Sequence, residues 1–516
     1  MKKSSALLIL LIASLVYVFL VASQLSIAYI DFGDGNYLYI AKRVTEGLTL
    51  YKDIMAPQPP CHLITGVLLI KLGGALGHVL YTVRWFSILL HIATMFLVYA
   101  IGLRLFEDRT KAVMAGTIAL FLPVGFVWAM GYQSEPLEML FMLSAFLCFI
   151  RLDAKGALFA GLFAALGTLT NMTAAPYALF NLGYLAVRRP KLALFYALSF
   201  FGLYLSVSVV TELWTGAFFN NVIFNQVGSY PQEGFLAYAF GKVVNEGAEV
   251  FQLEGGFIIF AVVGITLFLR TSRHEAKEYT AWYAFFSLLS ILYVSKGGTM
   301  DYIFTIGEPF VALFAAVTIV DGLRKESGIF SGGKTLLRDT LPLARIVLLL
   351  FLGAIMCFIG FFQIVNTLKG YNYDLDEQRT AMVLDYMDAY TEKGDEILAH
   401  PYYAFISGRR LVEDYSEVLL WTIKYYNERN AGIEEEGVRK IKTIAGKIHD
   451  RSIPLLILDM RQTGKIPEIK EAVEANYRPL HLPNLNDARD ATEKTIDFYT
   501  RDFWLRFYVP KEKKKS

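Results

Sequence analysis

Long apolar runs, interrupted by short charged stretches, constrain this sequence more than any other feature. They extend from Leu7 to Phe362, whereas residues 372–516 have the composition of a soluble protein. Over the whole chain 55% of residues are hydrophobic and 19% are charged, against about 45–50% and about 25% in soluble domains. Apolar segments lie near residues 6–28, 83–103, 112–130, 136–150, 157–170, 174–187, 192–210, 255–270, 279–294, 302–320 and 342–365. Because a span requires about 20 apolar residues, the sequence predicts a polytopic α-helical membrane protein with about 11 transmembrane helices.

Basic residues mark every second connection between the predicted spans. Clusters follow the second, fourth, sixth, eighth and tenth apolar segments. Cationic loops stay in the cytoplasm, so the loop after the first span and the C-terminal domain are predicted to lie outside the plasma membrane. Lys2 and Lys3 precede the first span without a cleavage motif, which favours an uncleaved anchor with a cytoplasmic N-terminus. The apolar segment His62–Leu80 fits this topology only as a juxtamembrane helix at the outer surface.

The C-terminal part, residues 366–516, alternates helix and strand patterns. Helices are predicted at Glu377–Thr391, Gly432–Lys447 and Pro467–Ala475, and buried strands at Asp395–His400 and Ile453–Asp459. This alternation predicts a soluble, parallel α/β domain that is separate from a transmembrane domain of residues 1–365. No Gly-rich loop joins a strand to a helix, so no nucleotide site is assigned. The domain is interpreted either as a lid that docks the acceptor or as a structural cap.

Cysteine, histidine and overall charge exclude several classes of site. Only Cys61, Cys148 and Cys357 occur, and two of them lie in apolar runs, so neither a disulfide framework nor a thiolate zinc site is predicted. The histidines are scattered without metal-ligand spacing, and no metal site is proposed. The net charge of +2, without a basic stripe, gives no indication of nucleic-acid binding.

The loop after the first apolar run places two carboxylates, Asp31 and Asp34, at the mouth of the membrane. Acidic residues there are costly and are by default functional, so Asp34 is predicted to be a general base, with Asp31 as the second candidate. The alternative for Asp34 is an N-cap of a helix from Asn36 to Glu46, and Asp31 also suits the backbone hydrogen bonding of a turn. Nucleotide-sugars and ATP are cytoplasmic. Chemistry on the outer face therefore requires a substrate that has crossed the membrane on a lipid.

A second acidic site is predicted on the same outer side, between the third and fourth spans. Glu135 within it is a candidate for positioning an acceptor or sugar hydroxyl. It equally suits the first turn of the next helix, where the positive helix end stabilises an acid. The nearby triplet Asn171–Thr173 matches a glycosylation acceptor, but it lies in a tight turn between two spans.

Cations are few on the predicted outer face, and each is a candidate for binding a lipid phosphate. The three main candidates are Arg84, Lys242, which lies in the long polar loop after Thr211, and Lys296. Weaker candidates in the first outer loop are Lys42, Arg43 and Lys52. The alternative for any of them is a side chain that extends to the lipid headgroups.

These residues together resemble the first outer loop of GT-C membrane glycosyltransferases, most closely the protein O-mannosyltransferase and aminoarabinose-transferase group. The matching stretches are Asp34–Tyr37, Tyr39–Arg43, Glu46–Gly47, Tyr51–Asp53, Gln58–Pro60, Arg84–Trp85, Arg104–Phe106, Ser134–Pro136, Leu169–Thr170, Asp301–Tyr302 and Glu308–Pro309. The resemblance covers residues 1–365 and rests on the order and spacing of individually weak motifs. Counting back from Tyr37, Gly33 stands where the family has its first acid, so Asp34 matches the second. Gln58 stands where the family has a basic residue or histidine.

The resemblance implies inverting transfer of a sugar from a polyprenyl phosphate, such as dolichyl phosphate, to a glycan, lipid or protein acceptor of the cell envelope. The resemblance implies an activity like that of a mannosyltransferase. Asp34 or Asp31 would accept the proton of the acceptor hydroxyl, and the outer-face cations would stabilise the leaving phosphate. Further substrate contacts are implied for Tyr37, Gln58 and Tyr302. Neither a cofactor nor a metal is implied.

The main alternative is a polytopic lipid or solute transporter with an outer domain. A transporter predicts charged residues within the spans and helices broken near the midplane, whereas the acids noted above lie at the outer edge of the apolar runs. An oligosaccharyltransferase would share the architecture. The tail, however, lacks a WWDYG-like acceptor motif, and its nearest match is Asp502–Leu505.

Overall fold

The chain folds into two units, each formed from separated stretches of sequence. The computed structural model describes residues 2–22, 25, 32–224, 235–272, 274–294, 301–323, 373–414, 431–459, 466–480 and 505–512. Unit 1 comprises residues 1–28, 58–214 and 230–372, and unit 2 comprises residues 29–57, 215–229 and 373–516. The predicted first outer loop therefore groups with the C-terminal part of the chain. The predicted domain boundary at residue 365 lies outside the described residues.

Helices dominate the described residues. In chain order they are α1 (Lys3–Ala22), α2 (Phe32–Thr45), α3 (Pro60–Leu76), α4 (Val79–Phe106), α5 (Arg109–Phe121), α6 (Pro123–Trp128), α7 (Ser134–Phe149), α8 (Ala154–Thr170), α9 (Ala175–Arg188), α10 (Pro190–Thr215), α11 (Phe235–Thr271), α12 (Lys277–Val294), α13 (Glu308–Leu323), α14 (Tyr373–Tyr390), α15 (Pro401–Ser407), α16 (Ala431–His449) and α17 (Pro467–Asn476). Short 3-10 turns lie at Met172–Ala174, Asp301–Ile306 and Val412–Asp414, and a π-helical turn at Phe219–Phe224.

The apolar segments predicted up to residue 320 all fall on helices, and the last, 342–365, lies outside the described residues. Among the described helices, 4 contain a stretch long and apolar enough to cross a bilayer: α1, α4, α10 and the part of α11 from Val250 to Thr271. The chain is thus an integral membrane protein. The number of spans, the orientation of the termini and the juxtamembrane position of the segment that forms α3 stay predictions.

A proline breaks the third predicted span into two helices. Helix α5 ends at Phe121 and α6 begins at Pro123. Leu122 between them is extended, with φ −63 and ψ 129, which is the conformation that a following proline imposes. The predicted single segment 112–130 is therefore wrong at this point.

The long polar loop predicted after Thr211 is in part a helix. Helix α11 begins at Phe235 and has 37 residues, so it extends well before the predicted apolar segment 255–270. Lys242, which the sequence placed in a loop, lies on this helix. The prediction failed because polar residues between Lys242 and Glu249 interrupt the apolar pattern in the first half of α11.

Aromatic rings from α7, α12 and α13 build part of the core of unit 1. Phe149 stacks on Tyr279 with 4.1 Å between ring centroids, and Phe146 lies edge-on to Phe310 at 5.3 Å. The Tyr279 hydroxyl donates a hydrogen bond of 2.6 Å to Oδ1 of Asn181 on α9. Such ring pairs contribute about 0.5–1.5 kcal/mol each beyond their buried area. This packing fixes the helices that carry the acidic residues of unit 1.

Two buried carboxylates pair with the first amides of α6. The Val124 N–H donates to Oε1 of Glu254 at 2.9 Å, and the Gly125 N–H donates to Oε1 of Glu308 at 2.7 Å. Glu254 and Glu308 are only 2% and 6% exposed. A Cβ at residue 125 would collide with the Glu308 carboxylate, so glycine permits this close approach. Amides left unpaired in an apolar interior are costly, and the two glutamates remove that cost at the helix break.

Unit 2 contains five short strands in its described residues. They are β1 (Glu396–Ile397), β2 (Arg410–Leu411), β3 (Leu456–Asp459), β4 (Tyr477–Pro479) and β5 (Leu505–Pro510). The predicted helices of the tail coincide with α14, α16 and α17, and the predicted strands contain β1 and β3. Strands β1 and β2 are parallel, whereas β5 runs antiparallel to both β3 and β4. The predicted all-parallel layer is therefore wrong, because the unpredicted strand β5 enters in the opposite direction.

Helix α2 is fastened to Asp414 by two side chains. Arg43 donates through Nε to Oδ1 of Asp414 at 2.5 Å and through Nη2 to Oδ2 at 3.1 Å. The Tyr39 hydroxyl donates to Oδ1 of the same carboxylate at 2.8 Å and accepts the Leu411 N–H at 2.8 Å. Burial, and then the negative charge of Asp414, raises the pKa of Tyr39, so the phenol stays protonated as a donor. A bidentate guanidinium–carboxylate pair fixes orientation as well as distance.

Replacement of Glu308 tests the pairing at α6. Glu308→Gln keeps an oxygen that can accept the Gly125 N–H, whereas Glu308→Ala leaves that buried amide unpaired and should cost about 1–3 kcal/mol. The alanine variant is expected to melt at a lower temperature than the glutamine variant in detergent. Glu278→Ala is the matched control, because the Glu278 side chain is 60% exposed. Equal melting temperatures for both Glu308 variants and the wild type would contradict this account.

Removal of the Asp414 carboxylate tests the attachment of α2. Asp414→Ala leaves Arg43 and Tyr39 without their shared acceptor, and charged hydrogen bonds of this kind contribute about 1.5–3 kcal/mol. We expect a lower apparent melting temperature and faster proteolysis between Gly47 and Pro57. Glu474→Ala, which removes an exposed partner of Lys470 at 3.9 Å, should leave both unchanged. Proteolysis of Asp414→Ala at the wild-type rate would argue against the attachment.

Candidate functional site

The predicted base, Asp34, lies in the first turn of α2. The helix begins at Phe32, two residues before Asp34, so the predicted N-cap position for Asp34 is wrong. A carboxylate in the first turn is still stabilised by the positive end of the helix. Asp31 and the side chain of Asp34 lie outside the described residues, and the choice between them stays a prediction.

The residues that follow Asp34 are buried in unit 2. Asn36 is fully buried, and Tyr37 is 6% exposed. Within the described part of the chain neither amide atom of Asn36 has a hydrogen-bond partner. An unpaired buried carboxamide costs about 1–3 kcal/mol and is the kind of group that a water or a substrate atom completes. Sequence reasoning missed Asn36, because its burial depends on residues far away in the chain.

Lys42 and Arg43, both candidates for substrate binding, contact protein groups. Lys42 Nζ donates to the Phe405 carbonyl at 3.2 Å and lies 5.8 Å from the centre of the Phe405 ring. Burial is the largest effect on Lys42 and lowers the pKa of its ammonium. Arg43 is held by Asp414 and Glu46. A phosphate would have to displace these partners, so both residues contribute first to holding α2.

Glu135 lies in unit 1, in the first turn of α7. Asn171 Nδ2 donates to Ser134 Oγ at 3.0 Å and to Glu135 Oε1 at 3.2 Å. The helix-start position predicted as one alternative for Glu135 is therefore confirmed. Asn171 is 7% exposed and its amide is engaged, so the glycosylation motif serves a structural contact here.

Glu138, one turn further along α7, is a buried acid that sequence reasoning did not select. Its Oε1 accepts the Thr173 hydroxyl at 2.6 Å. Its Oε2 has no partner among the described residues, and the residue is 2% exposed. An acid inside a predicted apolar segment was the available signal, as it was for Glu308.

A small cavity in unit 1 brings Glu135 and Glu308 to one place. Its polar lining comes from His91, Thr94, Glu135, Thr305 and Glu308, and the remaining lining is Ala119, Gly125, Ala129, Pro136, Met139 and Pro309. The cavity provides about 40 Å³ for water-sized molecules, which is room for a few waters. Among its described lining residues there is no lysine or arginine. The cavity is therefore suited to hydroxyl donors rather than to phosphate.

The predicted phosphate-binding cations are not assembled in the described residues. Arg84 is 1% exposed, and its Nη1 donates to the Leu25 carbonyl at 2.6 Å. The side chains of Lys242 and Tyr302 and the whole of Lys296 lie outside the described residues. Their substrate contacts stay predictions.

Gln58 is the remaining residue for which a substrate contact was predicted. Gln58 is half-buried and precedes Pro59, which is the N-cap residue of α3. Among the described residues no group of three or more histidine, cysteine, aspartate or glutamate side chains could hold a metal ion.

Comparison with known proteins gave one family match and several structural matches. The profile of the dolichyl-phosphate-mannose-protein mannosyltransferase family matches residues 59–214. ArnT from Cupriavidus metallidurans bound to undecaprenyl phosphate superposes with a TM-score of 0.58 at 12% identity, covering 98% of each chain. The apo form of the same protein gives a TM-score of 0.54 at 12% identity, covering 95% of this chain and 97% of that one. Comparison with curated protein sequences gave no match.

The profile match and the structural matches point to one fold. The structural similarity extends over nearly the whole chain, whereas the profile covers the helices from α3 to α10. The chain therefore has the GT-C fold, and its resemblance to membrane glycosyltransferases of the protein O-mannosyltransferase and aminoarabinose-transferase type is confirmed.

Proposed function

We propose that this protein is a membrane glycosyltransferase that moves a sugar from a polyprenyl phosphate to an acceptor hydroxyl on the outer face of the membrane. The observation that carries the proposal is the GT-C fold shared over 98% of the chain with ArnT bound to undecaprenyl phosphate. The match of residues 59–214 to a dolichyl-phosphate-mannose-dependent family supports the same donor class. The sugar and the acceptor are left open, and mannose is one candidate for the sugar.

The proposed reaction is a single displacement at the anomeric carbon. The acceptor oxygen attacks this carbon while the bond to the phosphate oxygen breaks, so the configuration inverts. Asp34 accepts the acceptor proton as the new glycosidic bond forms, a role that requires hydrogen-bond reach. The bonding electrons leave with the polyprenyl phosphate. A phosphate leaves readily, so these steps require no general acid.

Two features of the chain support roles for other groups. The acid-lined cavity of unit 1 presents Glu135 and Glu308, and carboxylates accept hydrogen bonds from sugar or acceptor hydroxyls. The leaving phosphate requires a cation. Lys242 and Lys296 are the proposed candidates, because Arg84 is buried against the Leu25 carbonyl.

The activity is tested by following a labelled sugar. Purified protein in lipid nanodiscs is incubated with polyprenyl-phosphate-linked mannose, glucose, galactose or aminoarabinose and with membrane lipids, glycans or peptides as acceptors. We expect one donor to be consumed, with one equivalent of polyprenyl phosphate released per labelled product. No transfer from any of these donors, in protein shown to be folded, would contradict the proposal.

Asp34→Asn tests the assignment of the base. The amide cannot accept a proton, so transfer should fall by about 100- to 10,000-fold, the range for a general base. The melting temperature should remain close to that of the wild type. Asp31→Asn should reduce the rate far less, and the reverse ranking would move the role to Asp31.

The control for both variants is Asp450→Asn. The Asp450 side chain is 80% exposed, and this variant should transfer sugar at the wild-type rate. A wild-type rate for Asp34→Asn would remove Asp34 from the mechanism.

A further inference from the structure

Gly35, the residue after Asp34, allows an imidazole ring to contact the first turn of α2. A Cβ at residue 35 would lie 2.8 Å from Cε1 of His400, 3.3 Å from its Nδ1 and 3.2 Å from the Tyr402 backbone nitrogen. Carbon atoms in contact are normally about 3.5–4.0 Å apart. Any other residue at position 35 would therefore push His400 and the start of α15 away from α2.

The His400 ring is itself held in place. Its Nδ1 accepts the Tyr402 N–H at 3.3 Å, which makes His400 the N-cap of α15. Because Nδ1 is the acceptor, Nε2 carries the hydrogen in the neutral ring. The ring lies edge-on to Tyr403 with 6.4 Å between centroids, and the residue is 7% exposed. A buried ring fixed by a cap and a neighbouring aromatic is a rigid support for whatever it contacts.

The same short segment, His400 to Asp414, also holds the other end of α2. The Phe405 carbonyl accepts Lys42, and Asp414 accepts Arg43. The segment therefore contacts α2 in its first turn and in its last turns. Two points of attachment restrain a helix against pivoting, whereas the distal contacts alone leave the first turn free to move.

We infer that His400 is a positioning residue for the predicted base: its ring, seated against Gly35, fixes the turn of α2 that carries Asp34. The inference rests on the proposed function, in which Asp34 must lie within hydrogen-bond reach of the acceptor. A misplacement of about 1 Å is enough to cost about 100-fold in rate. His400 acts through the helix and takes no part in the bonds that form or break.

Four variants in the full-length protein test this role. His400→Ala removes the support and should lower kcat by about 10- to 100-fold, with little change in the KM for the lipid-linked donor. His400→Asn keeps an N-cap oxygen for Tyr402 and should recover part of the rate. Gly35→Ala should lower kcat at least as much as His400→Ala. In Gly35→Ala/His400→Ala the collision with the ring is gone, so the two losses should be strongly non-additive.

Hydrogen exchange of the α2 amides provides a readout that does not depend on activity. The amides of Gly35 to Tyr39 should exchange faster in His400→Ala than in the wild type, because local opening becomes easier. His449→Ala, in which an imidazole with a 77% exposed side chain is removed, is the matched control and should change neither exchange nor kcat.

The outcomes separate this inference from the proposed function. If the wild type transfers no sugar, the proposed function fails, while faster exchange in His400→Ala still supports the contact with α2. If the wild type is active but His400→Ala has the wild-type kcat and exchange, the positioning role is overturned. Additive losses in the double variant, or a change confined to KM, would likewise overturn it.

Discussion

The absence of water from a bilayer core is the constraint on which the structure of unit 1 depends. Within an apolar interior every backbone amide must find a protein partner. A continuous helix satisfies this requirement alone, but the break at Pro123 does not. Glu254 and Glu308 supply the missing acceptors for the Val124 and Gly125 amides, and they come from helices α11 and α13, which are distant in sequence from the break. These two buried acids are thus tied to the helix break, and two of the residues that line the cavity, Gly125 and Glu308, come from that same pairing.

The elements that sequence predicted well are those determined by local composition. Apolar runs of sufficient length define most helices of unit 1, and their ends follow proline, glycine and charged residues, as at Gly77, where α3 ends in the left-handed conformation with φ 77. Helix α11 was only half predicted, because polar residues between Lys242 and Glu249 interrupt its first half.

The candidate site was predicted less completely, for a physical reason. A sequence motif identifies which side chains could bind a substrate. Which groups those side chains contact depends on the fold, because contacting residues can be far apart in the sequence. Lys42 and Arg43 were predicted to bind phosphate because they are cations close to a predicted membrane span. In the structure they instead donate hydrogen bonds to the Phe405 carbonyl and to Asp414. Nothing in the local sequence of His400 indicates that the fold seats its ring against Gly35 of α2. Each such pairing joins residues more than 350 positions apart.

The contacts of the tail favour one of its two interpretations. A lid or docking domain would need few fixed contacts with the loop it covers, so that it could open. Here Asp414 accepts hydrogen bonds from both Tyr39 and Arg43, His400 is seated against Gly35, and Met55 packs on the core formed by α16, β3 and α17. These contacts are hydrogen bonds or close packing contacts, and each of them involves a residue between positions 35 and 55. Among the described residues these contacts therefore favour the structural cap over the lid.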